Sequence, residues 1–347
     1  MLLRRREFGV LTAATLAMPW VASAQSSAEA ALHEAARKEG ELTWYTVPQT
    51  SEVAERMGRT FSTRYPGVKV NVVRTTAQVA FQRLNQDLKA GTPNCDVFTS
   101  TDLAHYVDLK GRKLFLPYRP EAVSRQDKRV QNFDPDGHFH ASSAFMMGLI
   151  HNTAKVPASA APRSWNDLVD ARWNGTVQVA HPAYSGAAGA WCIEMRKLYG
   201  DAWIRKLADN KAHVGRSTID AVTTVISGET SVSAGPMSLA ARSAAKGNPV
   251  ATLVPKEGPV LILACSGIMA NSRHPNASRL FMEWLLGSED TERIAIEEFS
   301  VPLRAGAKAA PGVPGLGDAD PLLAPTPAQM VSEIPKVIEL WKDAFGV

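Results

Sequence analysis

The sequence predicts an α/β protein of two lobes, each a mostly parallel sheet flanked by helices. Three observations carry this. Strand-like and helix-like periodicities alternate through the first third of the chain, the order from which parallel sheets are built. The alternation is interrupted around Pro157 and Pro162 and then begins again. A chain of 347 residues is also too long for one small core.

The elements follow in order. AEAALHEAARK is a short amphipathic helix stopped by Gly40. ELTWYTV is a strand, and SEVAERMGRTFSTRYPG is a helix with Phe61 and Tyr65 on its inner side. VKVNVVRT places valine at alternate positions, as a strand does, and AQVAFQRLNQDLKAG is a helix ended by Gly91. CDVFTS closes a βαβαβ series. After the two prolines, SWNDLVDARWNG leads into the strand TVQVAHP. PAYSGAAGAW then opens a helix whose first turn carries only small side chains. DAWIRKLADN is a helix, HVGRS a loop, STIDAVTTVISGE a helix and TSVSAG a short strand. PVLILACSGIMAN is an apolar strand that returns the chain to the first lobe. SRLFMEWLLGSEDTERIAIEEF and PKVIELWKDAF are helical, and residues 304–327, rich in Gly, Pro and Ala, form a surface loop.

The N-terminus reads as an address. Arg4, Arg5 and Arg6 precede the apolar run GVLTAATLAMPWV, and Ala22-Ser23-Ala24 is a small-x-small cleavage site. The run is too short for a stable membrane span, which takes about 20 residues. Arg5-Arg6-Glu7-Phe8 resembles a twin-arginine export signal; an ordinary secretory signal with a basic start is the alternative. Residues 1–24 are thus expected to be a signal peptide, and the mature protein to be soluble and periplasmic.

Basic residues number 38 against 34 acidic, and no basic cluster interleaved with aromatics lies outside the leader, so nucleic acid is not an expected partner. Cys95, Cys192 and Cys265 are far apart and odd in number, which fits buried thiols rather than a disulfide framework or zinc site. No G-x-S-x-G elbow, HExxH helix or paired carboxylate cluster is present, so no enzyme and no cofactor are expected. His138 and His140 in DGHFH read as a polar turn beside a strand, and no metal site is assigned.

Ligands of parallel sheets bind at the carboxyl ends of the strands. Here those ends carry Thr50 and Ser51, then Arg74, Thr75 and Thr76, then Ser100 and Thr101. Helix capping accounts for some of these hydroxyls. In the second lobe the bare start of the PAYSGAAGAW helix offers Tyr184, Ser185, Gly186 and Ala187, and the start of the STIDAVTTVISGE helix, with the loop before it, offers Arg216 and Ser217. Exposed N–H groups and the positive helix end favour an anion there. Arg74 and Arg216 are either clamps for an oxyanion or surface residues. Trp44, Tyr45, Tyr184 and Trp191 form either an aromatic box for a cation or ordinary core.

CDVFTSTD, GRKLFLPYRP, IHNTAKVP and PRSWNDLVDARWNGTVQVAHP, followed by YGDAWIRKLADN, ISGE, NSRHPNASRLFMEWLLGSE and VPLRAGA, resemble in this order the substrate-binding proteins of ABC importers. The subgroup is the one containing ferric-ion, thiamine and sugar-phosphate binders, with the two-lobed type 2 periplasmic-binding fold. The resemblance spans the mature chain. It implies a first lobe over residues 25–147, a second over 148–263, and a return to the first over 264–347, with hinge strands near residues 145–149 and 261–264. It also implies a monomer that closes on a small ligand and delivers it to an inner-membrane permease with its ATPase; delivery to a sensor is the alternative.

Ser185-Gly186-Ala187 match the segment that holds a synergistic anion in ferric-binding relatives. The two adjacent tyrosines of those relatives are missing: Pro236 and Met237 stand in their place. Their His and Glu ligand positions fall at Gln49 or Thr50 and at Thr101, all neutral. Gly235 and Met237 remain expected ligand contacts on that turn. The combination predicts a small anionic ligand, such as a phosphonate, phosphate ester or carboxylate, with ferric iron, a ferric chelate or a thiamine-like cation as alternatives.

Overall fold

The computed structural model describes residues 21–131 and 133–346. Most of the expected leader, residues 1–20 with the twin-arginine pair, lies outside the described residues. Helix α1 (Val21–Glu39) ends at Gly40, whose φ of 82° is in the left-handed region open to glycine. Then follow β1 (Glu41–Thr46), α2 (Ser51–Arg64), β2 (Lys69–Arg74), α3 (Ala77–Lys89), β3 (Val97–Ser100) and α4 (Leu103–Gly111). The βαβαβ order is therefore present, and β1 pairs in parallel with both β2 and β3. The helices lie on the sheet because apolar residues recur on one face. Helix α2 buries Val53, Met57 and Phe61, and α3 buries Ala77, Ala80 and Leu84.

Short β4 (Phe115–Leu116) precedes the long β5 (His140–Asn152). Next come β6 (Val177–Ala180), α5 (Gly186–Tyr199), α6 (Asp201–Asp209), β7 (His213–Gly215), α7 (Thr218–Ser227), β8 (Val232–Pro236), α8 (Met237–Ala245) and β9 (Val250–Leu253). β10 (Val260–Met269), α9 (Pro275–Gly287), α10 (Glu289–Glu297) and α11 (Pro327–Phe345) complete the order.

The strands form one sheet in the order β2-β1-β3-β10-β5-β8-β6-β7, with β4 added to β10 and β9 to β5. One wing is the parallel set β2, β1 and β3; the other is the parallel set β8, β6 and β7. Antiparallel β10 and β5 join them. β5 pairs with β10 as far as Met147 and with β8 from Met147 onward, so it passes from one wing to the other. The two segments expected as hinges are neighbours in register, with Phe145 opposite Ile262 and Ala144 opposite Leu263.

Each wing has an aromatic centre. Trp44 packs on Phe281 with ring centroids 5.1 Å apart, and Phe61 meets Trp284 at 5.5 Å. In the other wing Trp191 lies 5.9 Å from both Trp165 and Trp203. Such rings bury large apolar areas in edge-on or tilted contacts. Cys95, Cys192 and Cys265 are buried free thiols, and burial raises the pKa of each.

The structure departs from the sequence reading in local ways. HVG is strand β7, paired with β6, not loop; three residues are too few to show an alternation. Residues 237–245 form helix α8, absent from the sequence reading: its buried face is Met237, Ala240 and Ser243, whose small residues give a weak apolar signal. The long helix expected after residue 278 is two, broken at Ser288, whose Oγ accepts from Thr291 N and caps α10. The loop at residues 304–327 is not wholly superficial: Leu316 and Ala319 join Val130 and Met146 in a buried cluster.

Candidate ligand-binding site

A cavity lies where the carboxyl ends of both sets of parallel strands face each other, with about 820 Å³ of empty space including its open mouth. Its walls come from both wings and its floor from β5. Five helices aim their first turns at it: α2, α3, α5, α7 and α8. Local sequence sets each start. Thr50 Oγ accepts from Val53 N at 3.4 Å, Ser185 Oγ from Ala188 N at 3.3 Å, and Ser217 Oγ from Asp220 N at 3.2 Å. Thr76 precedes α3 without a side-chain cap bond, and Pro236 precedes α8. The leading N–H groups of a helix have no intrahelical acceptor, and they carry the positive end of its dipole.

Arg74 enters the cavity from the end of β2. Its Nε donates to Gln49 O at 2.9 Å, and its guanidinium makes no ion pair among the described residues. Burial holds its pKa below the usual arginine value, partly offset by the field of Asp220. The other cation on the wall, Arg242 of α8, pairs with Glu298, which Arg56 also reaches at 2.9 Å. Glu298 is the cavity's carboxylate among the described residues, and two arginines neutralise it; Tyr, His and Cys are absent from the lining. Ser143 Oγ on the floor is buried and has no hydrogen-bond partner among the described residues.

Of the residues singled out in the sequence, Thr50, Arg74, Thr76, Thr101, Ser185, Ala187 and Ser217 line this cavity. The rest are placed beside it. Ser51 is exposed on the first turn of α2, and Thr75 N donates to Thr46 O at 3.2 Å. Ser100 is buried, with its Oγ 3.0 Å from His105 Nδ1 and accepting from Asp102 N. Tyr184 is part-exposed, and the Arg216 guanidinium stacks 4.8 Å from its ring centre. A Cβ on Gly235 would sit 2.7 Å from Val222 Cγ2, so this glycine serves the close packing of α7 on β8. Met237 is buried against Gly148 and points away from the cavity.

Gly186 faces Asp102, the N-cap of α4 in the other wing: a Cβ on Gly186 would lie 2.7 Å from both Cβ and N of Asp102. The bare helix start therefore admits a neighbouring backbone. Nearby, Gln78 N donates to Tyr184 O at 3.4 Å.

Trp44 and Trp191 are fully buried and Tyr45 nearly so, its hydroxyl donating to Asp87; Phe145 is the aromatic residue that lines the cavity. Asp134, Asp136 and His138 bring ligand-type atoms within 4.8 Å of one another. Lys110 Nζ already bonds Asp134 and lies 2.6 Å from Asp136, so the charge of that group is met by a cation. His140 Nε2 bonds Tyr118 O instead.

The sequence reading missed Ser143, Ser238, Arg242, Glu298 and Ser300, all of which line the cavity. Arg242 on α8 and Glu298 just after α10 are 56 positions apart and belong to no motif, so only the fold brings them together.

Among the described residues no helix is long and apolar enough to cross a membrane. Residues 92–316 match the family model described as bacterial extracellular solute-binding protein. An uncharacterised protein of Haemophilus influenzae is 26% identical over 285 residues, covering 78% of this chain and 80% of that one. A Fe(3+)-binding periplasmic protein of Serratia marcescens is 26% identical over 279 residues, covering 75% and 78%. The periplasmic binding protein AfuA of Actinobacillus pleuropneumoniae, solved with exogenous fructose-6-phosphate bound, superposes with a TM-score of 0.77 at 22% identity, covering 89% of this chain and 99% of that one.

Proposed function

The chain belongs to the bacterial extracellular solute-binding protein family, and on that premise we propose that it is the periplasmic binding component of an ABC importer that closes on a small oxyanion. The observation that carries the anion is Arg74: a half-buried guanidinium, unpaired, in a cavity ringed by five helix starts. A cation half withdrawn from water without a counter-ion is costly, and a bound anion offsets that cost with charge-assisted hydrogen bonds. The N–H groups of α2, α3, α5, α7 and α8 add donors of the same polarity. The first two come from one wing and the last three from the other, so an anion between them gains contacts only when the wings meet. That differential contact drives closure about β5 and β10. The lobes proposed to move are residues 25–147 with 264–347, and 148–263.

A bare ferric ion needs anionic oxygen ligands. The wall offers Glu298, held by two arginines, and hydroxyls. The donor set suits an anion's oxygens better than a hard cation. The deciding experiment is isothermal titration of the mature protein with phosphate, phosphonate and carboxylate ligands, beside Arg74→Met. We expect at least one oxyanion to bind and Arg74→Met to weaken it at least about tenfold, since a hydrogen bond to a charged group is worth roughly 1.5–3 kcal/mol. Equal affinity in a folded Arg74→Met protein removes the anion reading.

A further inference from the structure

Beside the cleft lies a second chamber with about 810 Å³ of empty space including its open mouth, bordered by α2, residues 122–126, β5, α9, α10 and the segment after α10. It adjoins the first cavity through Gln49, Val53, Ser143, Glu298 and Ser300, which line both. The reading that follows rests on the anion site proposed above.

The chemistry of the chamber differs from that of the cleft. Its walls are largely apolar, with Met57, Leu285, Ile294 and Leu303 among them. Its charged groups are met by one another. Arg304 Nε and Nη2 hold Glu292 at 2.8 and 2.5 Å, Arg125 lies 3.6 Å from Glu121, and Glu298 is held by Arg56 and Arg242. What remains unsatisfied is neutral. Gln126 is 4% exposed; its Nε2 donates to Ala141 O at 2.8 Å, while Oε1 is buried and without a donor among the described residues. Ser143 Oγ, on the boundary of the two cavities, is likewise buried and unpartnered. Its neighbour Ser142 is satisfied by Ala264 O and Ser266 Oγ. Buried polar atoms are as a rule hydrogen-bonded, so one acceptor and one hydroxyl facing apolar walls call for an uncharged partner that brings its own O–H groups and C–H faces.

We propose that the second chamber receives the neutral, hydroxyl-bearing body of a cargo whose oxyanion head sits at Arg74. The cargo is then an organic oxyanion of polyol size, not an inorganic ion. Hydroxyls of the body donate to Gln126 Oε1 and bond Ser143 Oγ, while its carbon skeleton lies on the apolar wall.

Ala295 lines the second chamber and not the first, so Ala295→Phe fills one and spares the other. Titration calorimetry with inorganic phosphate, glycerol 3-phosphate, ribose 5-phosphate and glucose 6-phosphate reads head and body separately; gluconate presents a carboxylate head on a similar body. The wild type should bind the best organic anion at least tenfold more tightly than phosphate. Ala295→Phe should erase that gain and leave phosphate affinity unchanged, and Gln126→Leu should reduce the gain at least threefold. Ala295→Leu is the milder filling variant should Ala295→Phe lower the melting temperature. No gain from head to organic anion, or a gain that survives the filling variants, overturns this proposal and leaves the anion site standing, with water in the chamber. Failure of the wild type to bind phosphate and every organic anion overturns both.

Discussion

Ser100 and Thr101 are adjacent at the end of β3 and turn to different places. Thr101 lines the cleft, whereas Ser100 Oγ bonds His105 Nδ1 at 3.0 Å. His105 Nε2 lies 2.8 Å from Gln78 Oε1, an acceptor, so the network assigns the neutral ring with its proton on Nε2. Burial lowers the His105 pKa, against the opposing field of Asp102, and burial likewise lowers those of His140 and His151. In each case the folded value lies below the ordinary 6.5. The unfolded chain therefore binds more protons below that pH. The stability these rings contribute is complete above about 6.5 and is lost as pH falls through the folded values. The melting temperature should accordingly decline between pH 7.5 and 5.5, and His105→Gln should flatten part of the decline. A melting temperature flat over that range contradicts this account. At Pro236 and Met237 the expectation is spectroscopic: with no phenol at either position, ferric citrate should leave no visible phenolate-to-iron band after desalting. A stable coloured protein with iron bound one to one overturns it.

At the scale of elements, the start of α5 is shaped by what approaches it. Gly186 is its first residue, and its Cβ position is occupied by the Asp102 backbone of the other wing. Asp102 is itself held in place, since it caps α4 through Ala104 N and accepts from Gln78 Nε2 at 2.7 Å. Valine at position 186 costs the helix nothing by propensity, because glycine is the poorer helix former. Its cost appears only where the wings touch. Gly186→Val should keep the far-ultraviolet circular dichroism of the wild type while weakening ligand binding at least tenfold. Small-angle scattering should show no compaction when ligand is added. Full closure and unchanged affinity would return Gly186 to a residue of small size and no consequence.

For the whole molecule, β5 and β10 run between the wings, α11 packs against α4 of one wing and α5 and α6 of the other, and an ion-pair group spans the cleft. Arg242 on α8 and Arg56 on α2 share Glu298 from opposite sides, and the side chains of Arg242 and Glu298 are 16% and 15% exposed. Removing Glu298 leaves Arg242 with no carboxylate partner among the described residues, while Arg56 keeps Glu297 at 3.3 Å; losing one partner of an ion pair costs up to about 3–5 kcal/mol when burial is deep. Glu298→Gln should therefore shift the ligand-free protein toward an open form, read as a larger radius of gyration. It should lower the melting temperature and reduce its dependence on salt. An unchanged radius of gyration and melting temperature would show that the group contributes nothing to closure.

The α/β order, the parallel pairing of β1, β2 and β3 and the caps at Thr50, Ser185 and Ser217 are legible in the sequence, because each rests on residues close in the chain; the crossing strands β5 and β10, distant in the chain, were expected from the family resemblance instead. The sequence also determined which strand ends would be polar. Tertiary structure alone decided which of those polar residues share a cavity. Thr76 and Thr101 reach it while Thr75 and Ser100 do not, since alternate residues of an extended segment point to opposite sides and the twist of the sheet selects the side. It alone joined Arg242 to Glu298, left Arg74 without an ion pair among the described residues, and set Gly186 against Asp102. These are pairings between distant segments, and local propensity carries no information about the partner a side chain meets after the chain has folded.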